Sequence, residues 1–173
     1  MKIKSLKSLY GPNIYHYRPV ILMRVDLEDQ TDLASCDISG FNSNIVSLLP
    51  GLAKHSCSFK EAGGFLKRLE KGTYPAHIIE HIALELSTLS GIEVKFGKTR
   101  YAGAYGLYDI AVCFKNEEGM RECLTSAFEI FQNLLNSSSI DLQPYLQRVK
   151  TAVEDPKLGV STQSIVDAAQ RRN

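Results

Sequence analysis

No stretch of this 173-residue chain approaches the ~20 consecutive apolar residues of a membrane-spanning helix, so a helical membrane protein is excluded. The first ten residues place Lys2, Lys4 and Lys7 among single apolar residues and lack the continuous apolar centre of a secretory signal; a cytoplasmic protein is expected. Cysteine is scarce and scattered. Cys36, Cys57, Cys113 and Cys123 form no C-x-x-C pair, which argues against a disulfide framework and a cysteine-based zinc clip. Charge of one sign is also missing: 20 basic and 19 acidic residues leave a net charge of +1, so no general attraction to nucleic acid or anionic lipid is expected. Internal repeats and low-complexity tracts are absent. What remains is an ordinary globular composition, 44% hydrophobic and 23% charged, long enough to bury a core without staples.

Turn residues divide the chain. Ile3 to Tyr10 and Val20 to Leu27 read as strands on either side of Gly11-Pro12-Asn13. Phe41, Ile45, Leu48 and Leu49 keep helical spacing up to Pro50-Gly51, and a short helix follows from Gly63 to Leu69. Ile92 to Phe96 and Leu107 to Phe114 read as strands flanking a loop from Gly97 to Gly106. From Glu117, the positions Met120, Leu124, Ala127, Phe128, Phe131, Leu134 and Leu135 trace a long amphipathic helix with acidic residues in its first turn. Asp141 to Val153 reads as another helix. Strands, helices, strands and a helix in that order predict an α+β fold, a mixed or antiparallel sheet packed against helices in a single compact domain.

The segment Pro75–Leu89 carries the chemistry. At about 100° per residue, Ile78, Ile79, Ile82, Ala83, Leu86 and Leu89 fall on one side, with His77, Glu80, His81 and Thr88 opposite. Residues four apart stand ~6 Å apart along the axis and are turned by only ~40°, so His77 and His81 can converge on one metal ion. This is the H-x-x-E-H order of inverted zinc peptidases, in which two histidines ligate zinc and the glutamate is the general base. Zinc acidifies a water and polarises a carbonyl; the glutamate takes and delivers the proton. Leu84, in the middle of the polar face, indicates that this face is covered. Among remote candidates for a third ligand, Glu118 at the start of the long helix is favoured over His55 and Cys57, while Glu85 suits a partner that orients His81.

Gly97-Lys98-Thr99 resembles the end of a phosphate-binding loop, but that motif requires a glycine where Ile92 stands, so no ATP site is expected. Lys98, Arg100, Tyr101 and Tyr105 in the same loop suit the gripping of carboxylate or guanidinium groups.

Leu49-Pro50-Gly51-Leu52, His55, Cys57-Ser58, Gly63-Gly64-Phe65, Arg68-Leu69, Gly72-Thr73 and His77 to Leu86 together resemble the N-terminal domain of the cyanophycin synthetase family. Leu9 to Asn13, Met23 to Leu27, Gly97 to Arg100, Gly106 to Tyr108 and Glu117-Glu118 agree in order and at compatible spacing. Leu158-Gly159, Ser161-Thr162 and Ile165 to Arg171 resemble the linker by which such enzymes enter their ATP-grasp domain. The resemblance implies a domain over 1–153, a linker over 154–173, and a parent ligase with ATP-grasp and Mur-ligase-like domains that is a homo-oligomer. It implies a substrate as well: cyanophycin, a polyaspartate backbone bearing arginine on its side-chain carboxyls. In some members this domain carries a zinc-dependent site that cuts cyanophycin into primers, which maps onto His77, Glu80 and His81, with Arg100 as a substrate contact. Tyr74-Pro75-Ala76 and Lys67 depart from the family pattern and imply a differently shaped cleft.

Overall fold

The computed structural model describes residues 1–136 and 139–154; the expected linker, from residue 155 on, lies outside the described residues. Four strands, β1 (Lys2–Leu9), β2 (Val20–Asp26), β3 (Gly97–Tyr101) and β4 (Leu107–Cys113), form one sheet in the order β1-β2-β4-β3. Every pairing is antiparallel, which selects the antiparallel option within the expected α+β class. The helices are α1 (Phe41–Leu48), α2 (Gly64–Lys71), α3 (Pro75–Leu89), α4 (Glu117–Asn136) and α5 (Gln143–Glu154). None is long and apolar enough to cross a membrane.

Alternation along the strands gives the sheet two different faces. Ile21, Met23 and Val25 of β2, with Ile110 and Val112 of β4, enter the main core with α3 and α4. Phe131 of α4 meets Phe41 of α1 edge to face, ring centres 5.5 Å apart. On the opposite face Val20, Ala111 and Cys113 form a smaller cluster under Tyr15 and Phe96. All four cysteines carry thiols rather than disulfides.

One expectation changes. The third strand is Gly97–Tyr101, not Ile92 to Phe96, because the register pairs Gly97 with Val112 and Tyr101 with Tyr108. Residues 92–95 run past the end of β4, where no ladder partner remains. The polar side of α3 is enclosed, in keeping with Leu84 at its middle: Glu80 and His81 are 5% and 4% exposed. Pro75 fits the first turn of α3, where its missing N–H costs nothing, and Gly91 in the left-handed region ends it. Ile78, Ile79 and Ile82 are completely buried, contributing ~1.5–3 kcal/mol each. The helix is therefore held rigidly enough to position chemistry on its other side.

Candidate metal centre in a cleft over α3

The enclosed side of α3 forms the floor of a cleft of about 1110 Å³. Its walls come from the turn Pro50–Lys54, the following segment through Cys57, and the stretch leading into β3. Phe65 of α2 stacks on His81 at 3.9 Å and 17° and meets His77 edge-on, so an aromatic wall fixes both imidazole planes.

One ligand atom from each of Cys57, His77 and His81 can be chosen so that all three lie within 4.8 Å of one another. The Cys57 sulfur is 3.3 Å from Nε2 of His77. Two imidazoles and a thiol are a donor set for zinc, with room left for a fourth ligand. Cys57 has φ 50°, the left-handed backbone that is unfavourable for a residue with a Cβ; strain of this kind persists where the surroundings over-determine it and clusters at functional sites.

The hydrogen-bond network assigns the ring protons, which follow from it rather than from observed hydrogens. Nδ1 of His77 lies 2.8 Å from Oγ1 of Thr73; with the proton on Nδ1, Nε2 keeps its lone pair beside Cys57. Nε2 of His55 donates to a Glu85 carboxylate oxygen at 3.0 Å, and Nδ1 of His55 is 2.9 Å from Nδ1 of His81. A carboxylate oxygen accepts, so the His55 tautomer that fits carries its hydrogen on Nε2 and accepts at Nδ1 a hydrogen bond from the Nδ1–H of His81. Nε2 of His81 is then the nitrogen able to ligate. Glu85 is seated tightly: a Cβ on Gly51 would lie 1.8 Å from its Oε1. Pro50-Gly51, which ends α1, thus also admits the carboxylate that orients this relay.

Electrostatics favour the ligating form of the histidines. Burial, reinforced by the Arg68 charge, lowers His77 to about 4. Burial chiefly brings His81 well below the usual histidine value, with the neighbouring His77 and His55 rings disfavouring a further positive charge. Both stay neutral at physiological pH, as metal binding requires. Burial raises Glu80 to about 7, against the opposing pull of hydrogen bonds from the Thr99 side chain and backbone. Thr99 donates its hydroxyl to Oε2 at 2.7 Å, and a Cβ on Gly97 would fall 2.7 Å from Glu80. Glycine at 97 lets the strand pass directly over the carboxylate.

The structure therefore brings together His77, Glu80 and His81, adds Cys57, and places His55 and Glu85 behind His81. Two expected members lie elsewhere. Glu118 opens α4, whose first turn at Gly119 touches Ile92 and Val153, beyond the C-terminal end of α3. That is ~18 Å along the helix from His77, and Glu118 does not line the cleft; the third candidate donor beside the two histidines is Cys57. Arg100 follows Thr99 on β3 and so faces the other side of the sheet. There it lies 5.6 Å over the Tyr15 ring, opposite Asp109. Asp109 accepts two bonds from Arg24, at 2.7 and 2.8 Å, and one from the Tyr15 hydroxyl; the bond from Arg24 chiefly lowers its pKa.

Comparison with known proteins identifies the family. The family described as cyanophycin synthase-like N-terminal domain matches residues 22–136. Cyanophycin synthetase of Crocosphaera subtropica is 36% identical over all of this chain, and that of Trichormus variabilis is 37% identical over 99% of it. The chain spans 20% of the length of each. On a match covering most of the described residues, the chain belongs to the cyanophycin synthase-like N-terminal domain family.

Proposed function

We propose that this domain binds cyanophycin and hydrolyses it internally in a zinc-dependent manner, producing short primers for a parent ligase. The observation that carries the reading is the convergence of Cys57, His77 and His81 within 4.8 Å beside a glutamate whose pKa is raised to about 7. Cys57 and the two histidines would hold the zinc ion, which supplies Lewis acidity toward a water and a scissile carbonyl. Glu80 then accepts the proton of the attacking water and returns it to the amine released as the C–N bond breaks. A base with a pKa near neutrality performs both transfers at working pH. Thr99 holds the carboxylate in place, and the aromatic wall of Phe65 holds the two imidazoles.

The alternative is a polymer-holding module or scaffold without hydrolysis. The outer sheet face favours a holding role: Arg24, Lys98 and Arg100 project there around the Asp109 carboxylate. The two readings separate by incubating the full chain, loaded with zinc or stripped by a chelator, with cyanophycin and identifying products by mass spectrometry. Zinc-dependent fragments that disappear in Glu80→Gln are expected. Equal cleavage by wild type and variant, or none after zinc loading, would falsify the hydrolytic reading. The ATP-grasp and Mur-ligase-like domains of the parent, its homo-oligomeric assembly and its cytoplasmic location belong to the same proposal.

A further inference from the structure

The strand that crosses Glu80 is also an edge of the sheet. Among the described residues β3 pairs only with β4, and the direction of its remaining backbone groups follows from two hydrogen bonds. Cys113 N–H donates to Phe96 O, and Ala102 N–H donates to Leu107 O. With the register Gly97–Val112 through Tyr101–Tyr108, residues 96, 98, 100 and 102 turn their N–H and C=O groups toward β4. Gly97, Thr99 and Tyr101 turn theirs outward. The Thr99 N–H is directed at Glu80, leaving those of Gly97 and Tyr101 on the open side. Gly97, Lys98 and Thr99 line the cleft beside His77 and His81.

Exposed strand edges are usually blunted by proline, a bulge or a cover. This edge instead borders the metal-ligating group, with Tyr101 61% exposed. The side chains of Lys98 and Arg100 point to the outer face on the same strand. We propose that an extended polypeptide substrate adds to β3 as a fifth strand, bonding through its main chain to Gly97 and Tyr101 and so passing over Glu80. Alternation then sends every second side group of the bound chain toward Lys98 and Arg100, where carboxylates are matched, and the others toward the floor of the cleft. The five residues of β3 span ~17 Å, enough for about five residues of ligand. Arg100 thereby meets the substrate on the face of the sheet opposite Glu80. The identity of the ligand as an aspartyl backbone rests on the proposed function; the mode of docking rests on the strand edge.

The test uses the full chain under chelator, so that nothing is cut, and a fluorescent five-repeat peptide with an aspartyl backbone and arginine on the side-chain carboxyls. Amide hydrogen exchange is read by NMR with and without peptide. Gly97 and Tyr101 should gain at least tenfold protection, while Lys98 and Arg100, already bonded to β4, change little. Backbone N-methylation of the peptide at every residue should cost at least tenfold in affinity, whereas methylation at alternate residues, which a one-residue slip of identical repeats evades, should cost little. The double variant Lys98→Glu/Arg100→Glu, checked as folded by its unchanged exchange in α3 and α4, should bind at least tenfold more weakly. Peptide binding without protection at Gly97 and Tyr101, undiminished affinity after methylation at every residue, or no binding at all overturns the proposal. Zinc-dependent cleavage with no protection at the edge would discard the docking mode alone; protection at the edge without cleavage would discard hydrolysis alone.

Discussion

Replacing Glu80 with glutamine isolates the energetic cost of keeping a carboxylate under β3. Burial raises Glu80 from 4.5 to about 7, and each pKa unit is worth about 1.4 kcal/mol. Below pH 4.5 the carboxyl is protonated in both folded and unfolded chains. Between 4.5 and 7 the folded protein keeps a proton that the unfolded chain releases, so stability falls as pH rises through that window. The fall from this group totals about 3 kcal/mol and is complete above pH 7. His77, lowered from 6.5 to about 4, acts in the opposite sense, adding stability as pH rises from 4 to 6.5, and His81 acts in the same direction as His77. The wild-type profile therefore mixes opposing contributions, but the difference between wild type and Glu80→Gln cancels the histidines. Glutamine keeps an acceptor for the Thr99 hydroxyl and does not titrate. In zinc-free protein unfolded with urea, the two chains should have similar stability at pH 4.5, and the variant should lead by about 3 kcal/mol at pH 8. A difference that stays flat across this range would refute the assignment of Glu80 as a buried, proton-retaining carboxyl.

Other substitutions probe the supports of the site. Glu85→Gln disturbs the proton order of the His55–His81 relay and should weaken zinc affinity about 10–100-fold in competition with a chromophoric chelator; unchanged affinity would remove Glu85 from the assembly. Gly51→Ala introduces a methyl group into the space of the Glu85 carboxylate and should cost about 1–3 kcal/mol of stability, read as a lowered urea midpoint; a midpoint equal to wild type would show that the turn yields. Asp109→Ala leaves Arg24 and Tyr15 without their shared acceptor and should cost about 1–3 kcal/mol while leaving zinc affinity intact. Any loss of zinc binding there would tie the outer sheet face to the cleft.

The parts of this molecule legible in sequence are those whose determinants lie within one helix. Met120 through Leu135 declare α4 because a single apolar stripe meets the core, and His77, Glu80 and His81 declare themselves because helical spacing alone makes them neighbours. Cys57 is different. It arrives from a separate turn with left-handed backbone, and only the packing of α2 and the Pro50–Lys54 turn over α3 brings its sulfur to His77. The run Ile92 to Phe96 has strand composition but extends past the end of its partner, so pairing rather than propensity decides where β3 begins. The side of the sheet that Arg100 occupies follows from the same pairing: once Gly97–Tyr101 is a strand, Thr99 and Arg100 must point to opposite faces, one onto Glu80 and the other onto Tyr15. The pairing of Cys57 with the helix was signalled only by its lying between His55 and the Gly63-Gly64 entry to α2, which is too little to choose it over Glu118.

The division of the metal group between α3 and the turn at Cys57 gives its two halves unequal evolutionary freedom. His81 and Glu80 fill volume in an enclosed wall against Phe65 and Gly97, so replacing them disturbs packing even in a domain that has no use for a metal. Cys57 sits in a turn with left-handed backbone, where glycine is unstrained, and it meets α3 only through its sulfur at His77 among the contacts described above. A chain with no use for a metal is therefore expected to lose the thiol before it loses H-x-x-E-H, which packing retains. The residue at the position of Cys57, more than the histidine pair, should mark which chains bind zinc.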